Sequence, residues 1–216
     1  MPQKLILIRH GETNHNKKKI CQGCLDIPLN SFGKSQAKRL ANTLKPEQID
    51  LIYSSDLSRT VQTAQPLAQQ KNIPLIKTTL LRERNMGVLQ GLSWSQIKKT
   101  HKKTLKKLDD KSDVSWKMKN GESWNNVVTR IKEFLQLLSN KHPNKSIAVV
   151  THGGSKRAIL QTLGFKDLST NTYIANTDLT IIEKTANNEY SIRTTTITPR
   201  NLSLSLSKML QINKEQ

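Results

Sequence analysis

Apolar residues in this chain fall into short unbroken runs separated by longer amphipathic stretches. Three runs stand out: KLILIRHG over 4–11, IDLIYSS over 49–55 and SIAVVTHGG over 146–154. A continuous apolar run of this length, rather than strict apolar–polar alternation, fits a parallel strand buried on both faces. The first two are followed by helix-compatible stretches, SQAKRLANTL and LSRTVQTAQPLAQQ. The third leads straight into GSKRAILQTLG, with Gly164 as a C-terminal stop. Strand and helix alternating in this way predict an α/β fold with right-handed crossovers, three-layered α/β/α around a mostly parallel sheet. Pro66 lies inside the second helical pattern and predicts a kink or an early end there.

The middle of the chain changes character. From Trp94 to about Lys107 the spacing predicts one helix. Trp94, Ile97, His101, Leu105 and Leu108 share a side, and Lys98, Lys99, Lys102, Lys103, Lys106 and Lys107 fill the other. DDKSDVSWKMKNGES reads as a loop, and WNNVVTRIKEFLQLL as a second helix. Together they form a helical insertion over about 94–140, placed after the third strand near IPLIK. NTDLTIIEK and YSIRTTTI read as a late strand pair. The tail over about 200–216, with NLSLSLSKML, fits period two and period 3.6 equally and yields no assignment. No internal repeat is visible, so 1–216 is read as a single domain.

Composition narrows the class. At 216 residues and 35% hydrophobic content the chain can build one sizeable core, mainly of Leu, Ile, Val and Ala. No apolar run approaches the roughly 18 residues of a membrane span. LILI is also far shorter than a signal-peptide core of about 7–15 residues. The expectation is therefore a cytoplasmic protein without a membrane partner. Charge adds more: 35 Lys and Arg against 16 Asp and Glu give a formal +19. That balance favours anionic partners, either nucleic acid or small phosphorylated molecules, although a merely solvated basic surface would look the same. Aromatic content of only 4% argues against a stacking platform for single strands. A small phosphorylated substrate is the preferred partner; the oligomeric state is not legible. Two cysteines, Cys21 and Cys24, cannot make a disulfide framework.

The chemistry lies where the strands end. In open α/β sheets, ligands bind beyond the carboxyl ends of the strands. The three endings bring Arg9 with His10, Ser54 with Ser55, and His152 with Gly153 to one place. Arg59 follows in the first turn of a helix, where amides and dipole favour an anion. Two imidazoles, two guanidiniums and a helix N-terminus suit a phosphate dianion. A neutral imidazole is also a good phosphoryl acceptor, so one of them can attack. His10 would hold one ring nitrogen as a donor to a nearby carbonyl, leaving the other free, and Gly11 permits close backbone approach. Arg9 and Arg59 would bind the equatorial oxygens. His152 and the Gly153 amide would add further donors. No cluster of ligand-spaced Asp or His suggests a metal, and no cofactor motif is present.

RHGETNHN, QGCLDIPLNSFGKSQA, SSDLSRTVQTA, LRERNMGVLQGL, NGES and VVTHGG occur in this order across roughly 4–185. In that order they resemble the histidine phosphatase superfamily, the phosphoglycerate mutase-like proteins. The resemblance implies a phosphohistidine intermediate on His10, sets the helical insertion over the active site and places Glu83 at the family's acid/base position. Glu12 is a weaker rival for that role. Thr13 and Asn16 lie on the family pattern and would contact phosphate or order the loop, and Asn176 would buttress the site. Gln22 and Gly23 match the family's substrate loop, which makes Cys21 and Cys24 reduced thiols flanking that loop rather than a redox or zinc pair. Glu83, Arg84, Gly87 and Gly91 also match the mutase pattern. Met86 stands where mutases carry an aromatic, Trp94 where they carry a lysine, and their paired arginines in a longer insertion are missing. The reading is a metal-independent phosphomonoesterase, with mutase-type phosphoryl transfer as the runner-up. A non-catalytic basic binding module on the same scaffold is the alternative of a different class.

Overall fold

A computed structural model describes residues 1–110, 112–165, 172–187, 189–196 and 198–199. The tail over about 200–216 lies outside the described residues. The chain begins with β1 (Lys4–Arg9), a four-residue helix α1 (Asn14–Lys17) and α2 (Ser31–Thr43). It continues through β2 (Leu51–Ser55), α3 (Ser58–Lys71) and β3 (Leu75–Thr78). Two short helices, α4 (Trp94–Thr100) and α5 (Lys102–Asp109), precede α6 (Trp124–Lys141), β4 (Ser146–Thr151) and α7 (Gly153–Thr162). The last elements are β5 (Thr172–Tyr173), β6 (Leu179–Lys184), β7 (Tyr190–Thr195) and β8 (Thr198–Pro199).

Six strands form the main sheet in the order β3-β2-β4-β1-β6-β7. β3, β2, β4 and β1 are mutually parallel, and the late pair β6–β7 adds antiparallel at one edge. The expected mostly parallel sheet is therefore present, sandwiched between helices. LILI shows why its run is unbroken. Leu5 and Leu7 pack with α6 and α7 on one face, and Ile6 and Ile8 with α2 and α3 on the other. All four are fully buried. Each such side chain contributes about 1.5–3 kcal/mol by leaving water.

Three local expectations need correction. α3 does not stop at Pro66 but runs on to Lys71, with Thr63, Ala64, Leu67 and Ala68 buried on either side of the proline. Packing of that face outweighs one missing backbone hydrogen bond. The lysine-rich stretch is two helices rather than one. His101 takes φ −126° and ψ 39°, so the chain breaks there between α4 and α5. Trp94, expected on the docked side, is 39% exposed. α6 differs from a covering element too. Val127, Ile131, Phe134, Leu135 and Leu138 sit in the same core as Leu5 and Leu7, so α6 belongs to the layer under the sheet. Only the stretch from α4 to the α6 N-terminus lies over the strand ends.

Caps fix where the later helices begin. Ser93 and Ser123 each accept from the amide three residues on, and the Gln96 and Asn126 side chains reach back to the cap amides. α7 ends before Gly164, whose φ of +91° fits the expected stop.

Candidate active site

β1 and β4 are neighbours in register, Arg9 opposite Thr151, so the residues that follow each strand emerge side by side. The His10 and His152 rings lie 5.2 Å apart, edge to face. Both are almost wholly buried. Their hydrogen bonds assign opposite tautomers. His10 Nδ1 lies 2.7 Å from the Gly11 carbonyl oxygen, which can only accept, so Nδ1 carries the proton and Nε2 the lone pair. His152 Nδ1 lies 3.2 Å from Arg59 Nε, which can only donate, so here Nδ1 holds the lone pair and Nε2 the proton. One imidazole therefore offers a lone pair and the other a donor. Burial first, and the neighbouring Arg9 and Arg59 charges after it, hold both rings well below the ordinary histidine value. Both are neutral at pH 7.

Two buried donors at this point have no protein acceptor among the described residues: His152 Nε2 and Arg9 Nε. Arg9 is otherwise held by its Nη1 on the Ile174 carbonyl at 2.5 Å. A Cβ placed on Gly153 would sit 3.8 Å from that Arg9 Nε, so Gly153 is where α7 passes the guanidinium. Unpaired buried donors are costly, and an anion is what satisfies several at once.

Arg59 is more committed than the sequence suggests. It is fully buried, and besides His152 it donates to the Leu25 carbonyl at 2.7 Å and the Gly23 carbonyl at 2.8 Å. Burial lowers it to about 10, so it remains charged at neutral pH. The expectation that the N-terminus of its helix awaits a substrate anion is corrected. The Asp26 carboxylate already accepts from Ser58 N at 2.7 Å and Ser58 Oγ at 2.8 Å. The loop over 21–26 is thus clamped to α3 from both sides, by Arg59 on its carbonyls and by its own aspartate.

Glu83 reaches the same place from a segment that is tied down residue by residue. Thr151 Oγ1 donates to the Leu81 carbonyl, Ser155 Oγ to the Arg82 carbonyl, and Arg82 forms a forked ion pair with Asp56. The Glu83 carboxylate accepts from Arg84 N at 2.8 Å and from Gly154 N at 3.0 Å. A Cβ on Gly154 would fall 2.3 Å from Glu83 Oε1.

The remaining residues fall into three groups. Thr13 and Asn16 bond reciprocally at the start of α1. Asn176 Nδ2 donates to the His10 carbonyl at 3.0 Å and approaches Asn16 Oδ1 at 3.3 Å. Gln22 accepts from Thr13 Oγ1, and Gly23 takes a positive φ against the Gln90 side chain. Arg84 spends its guanidinium on the Glu122 and Trp116 carbonyls. Glu12 stands aside, its carboxylate accepting from Asn30. Ser54 and Ser55 are the buried last two residues of β2 and bond to backbone at its end. Cys21 and Cys24 are free thiols, both pushed up by burial, Cys21 to about 12, and so unreactive.

Arg9, His10, Asn16, Gln22, Gly23, Arg59, Glu83 and Arg84 all open onto one cavity of about 650 Å³. Sequence reasoning missed Gly154, Arg157, Trp116 and Trp124 there, and also Asp26, which ties the 21–26 loop to α3. The Gly-Gly doublet was a signal for Gly154. Asp26 had none, because its partner lies 32 residues away. Among the described residues, no group of three or more His, Cys, Asp or Glu side chains is placed to hold a metal ion. No helix among them is long and apolar enough to cross a membrane.

The family model of the histidine phosphatase superfamily (branch 1) matches residues 5–197. Phosphoglycerate mutase-like protein 4 of Arabidopsis thaliana is 37% identical over 161 residues, 73% of this chain and 70% of that protein. Phosphoserine phosphatase 1 of Hydrogenobacter thermophilus is 36% identical over 167 residues, 77% of this chain and 78% of that protein. Among solved structures, mycobacterial glucosyl-3-phosphoglycerate phosphatase complexed with VO3 superimposes with a TM-score of 0.77 at 28% identity. That superposition covers 88% of this chain and 96% of the other.

Proposed function

This chain belongs to the histidine phosphatase superfamily, and from that premise we propose that it hydrolyses small phosphomonoesters through a phosphohistidine on His10. The observation that carries the reading is the pair of opposite tautomers beside two unpartnered buried donors. His10 Nε2 attacks phosphorus in line with the ester oxygen; the N–P bond forms as the P–O bond breaks. Arg9, the two N–H groups of Arg59 not spent on protein acceptors, and His152 Nε2–H take the equatorial oxygens, where charge spreads in a loose transition state. Asn16 Nδ2, which has no protein acceptor among the described residues, and the Gly153 amide complete the cradle. Thr13, Gln22, Gly23 and Arg84 hold its shape.

Glu83, entering as the carboxylic acid, gives its proton to the departing alkoxide. As the carboxylate it then takes a proton from the water that attacks phosphohistidine, releasing inorganic phosphate and restoring His10. Charge stabilisation comes from guanidinium and imidazole groups, and the reaction we propose uses no metal.

Phosphatase names among the relatives support hydrolysis, and so does the clamped loop over 21–26. A mutase must retain its intermediate while it turns, whereas this cavity opens from His10 toward solvent past an exposed Trp94. Brief incubation with ³²P-labelled substrate and an alkaline quench should trap an acid-labile, base-stable phosphate on the wild-type protein and none on His10→Ala. Full turnover by His10→Ala would refute the assignment.

A further inference from the structure

The chain contains three tryptophans, and all three line the cavity that holds His10. They arrive separately. Trp94 opens α4, Trp116 lies in the loop between α5 and α6, and Trp124 opens α6. Within its own loop, Trp116 N donates to Asp113 Oδ1 at 3.0 Å. The Ser93 and Ser123 capping boxes set the residues that follow them, Trp94 and Trp124. Trp124 Nε1 donates to Gln161 Oε1 of α7 at 2.9 Å. Arg84, whose own amide bonds Glu83, reaches the Trp116 and Glu122 carbonyls with its guanidinium. The aromatic wall is therefore tied by one residue to the carboxylate beside the leaving group.

Part of this wall is left in water. Among the described residues, Trp94 and Val114 are two of the five large apolar side chains exposed over a third of their surface, and both lie on this cavity. Exposed apolar surface inside a concave site gains most when a ligand covers it. Size points the same way. About 650 Å³ lies in the range of cavities that bury drug-sized molecules. A phosphate on a three-carbon acid would occupy the Arg9–His10 end and leave the indoles uncovered. Indole faces favour flat rings offset-stacked or edge-on.

We propose that Trp94, Trp116 and Trp124 form a leaving-group subsite for phosphomonoesters whose alcohol carries a flat aromatic ring. The inference rests on the phosphatase reading above and adds the substrate class. Continuity with the phosphate end identifies the occupant: the ring must lie within a few bonds of the ester oxygen to reach the indoles from Glu83.

The test compares esters whose alkoxides leave with similar difficulty: propyl phosphate, 2-(1-naphthyl)ethyl phosphate, 3-phosphoglycerate and glucose 6-phosphate. Wild-type kcat/KM should be at least tenfold higher for the naphthylethyl ester than for the other three. In Trp94→Ala and Trp116→Ala the naphthylethyl-to-propyl ratio should fall several-fold toward one, and Trp116→Phe should restore much of it. A ratio taken within one preparation does not depend on the fraction of active protein, so partial misfolding cannot imitate the effect. A naphthylethyl ester no better than propyl phosphate, a preference for glucose 6-phosphate, or ratios unmoved by both alanine variants would overturn the subsite while leaving the phosphatase reading intact. Hydrolysis of none of the four, with no phosphate trapped on His10, would overturn both.

Discussion

Replacing Gly154 by alanine should separate catalysis from folding. Gly154 occupies the second position of α7, and its amide bonds Glu83 Oε2. An added methyl would stand 2.3 Å from Glu83 Oε1 and 3.2 Å from its carboxyl carbon, where ordinary contact begins near 3.4 Å. The carboxylate must therefore retreat by about 1 Å, the difference between the ordinary contact and the first of those distances. It is the end of a flexible side chain, so the backbone need not move. Stability falls by no more than about 2.5 kcal/mol, which leaves the fold intact. Losing one charge-assisted hydrogen bond costs about 1.5–3 kcal/mol at most, and Gly→Ala inside a helix returns about 0.5–1 kcal/mol.

Catalysis is affected differently. A positioned general acid contributes roughly 10²–10⁴-fold, and a misplacement of about 1 Å can cost about 100-fold. We expect kcat/KM for alkyl phosphates to fall about 100-fold, or about 2.7 kcal/mol in the barrier. p-Nitrophenyl phosphate, whose leaving group departs unprotonated, should fall less than tenfold. The assay is steady-state hydrolysis of both esters alongside urea unfolding of wild type and Gly154→Ala. Alkyl-ester activity within twofold of wild type would refute the role given to Glu83. Equal losses on both esters would show that the methyl disturbs phosphate binding rather than proton transfer.

Two further predictions test the electrostatics and the loop clamp. His10 and His152 are held below the ordinary value of 6.5 by burial, then by Arg9 and Arg59, so the unfolded chain binds protons that the folded one refuses. Stability should be full above pH 6.5 and decline as pH falls through 6.5 toward the folded values, by at most about 2.7 kcal/mol per pH unit for two histidines. His152→Gln should roughly halve that slope between pH 6.5 and 5.5, and a wild-type stability flat across this window would contradict the buried neutral pair. Asp26→Ala removes the cap of α3 and should cost about 0.5–2 kcal/mol in urea unfolding. It should also raise KM more than it lowers kcat, because Arg59 would hold the loop alone; unchanged stability together with unchanged KM would show that the clamp is idle.

The sequence by itself carried whatever depends on near neighbours along the chain. LILI, DLIYS and SIAVVT could be read as strands because burial on both faces demands an unbroken apolar run. Arg9, His10, His152 and Gly153 could be placed together because parallel strands deliver their ends to one edge. The ordered motifs named the family. Tertiary structure alone decided what depends on partners distant in the chain. The tautomers of His10 and His152 follow from a local carbonyl in one case and from a guanidinium 93 residues away in the other. Asp26 takes the α3 N-terminus only because loop and helix close on each other, and Pro66 is tolerated only because its helix face is buried. The break at His101 was equally invisible, since a helical period shows which residues can share a face and not whether the chain stays helical between them. Periodicity is a property of a few successive residues, whereas a hydrogen-bond partner or a cavity wall is set by the packing of the whole chain.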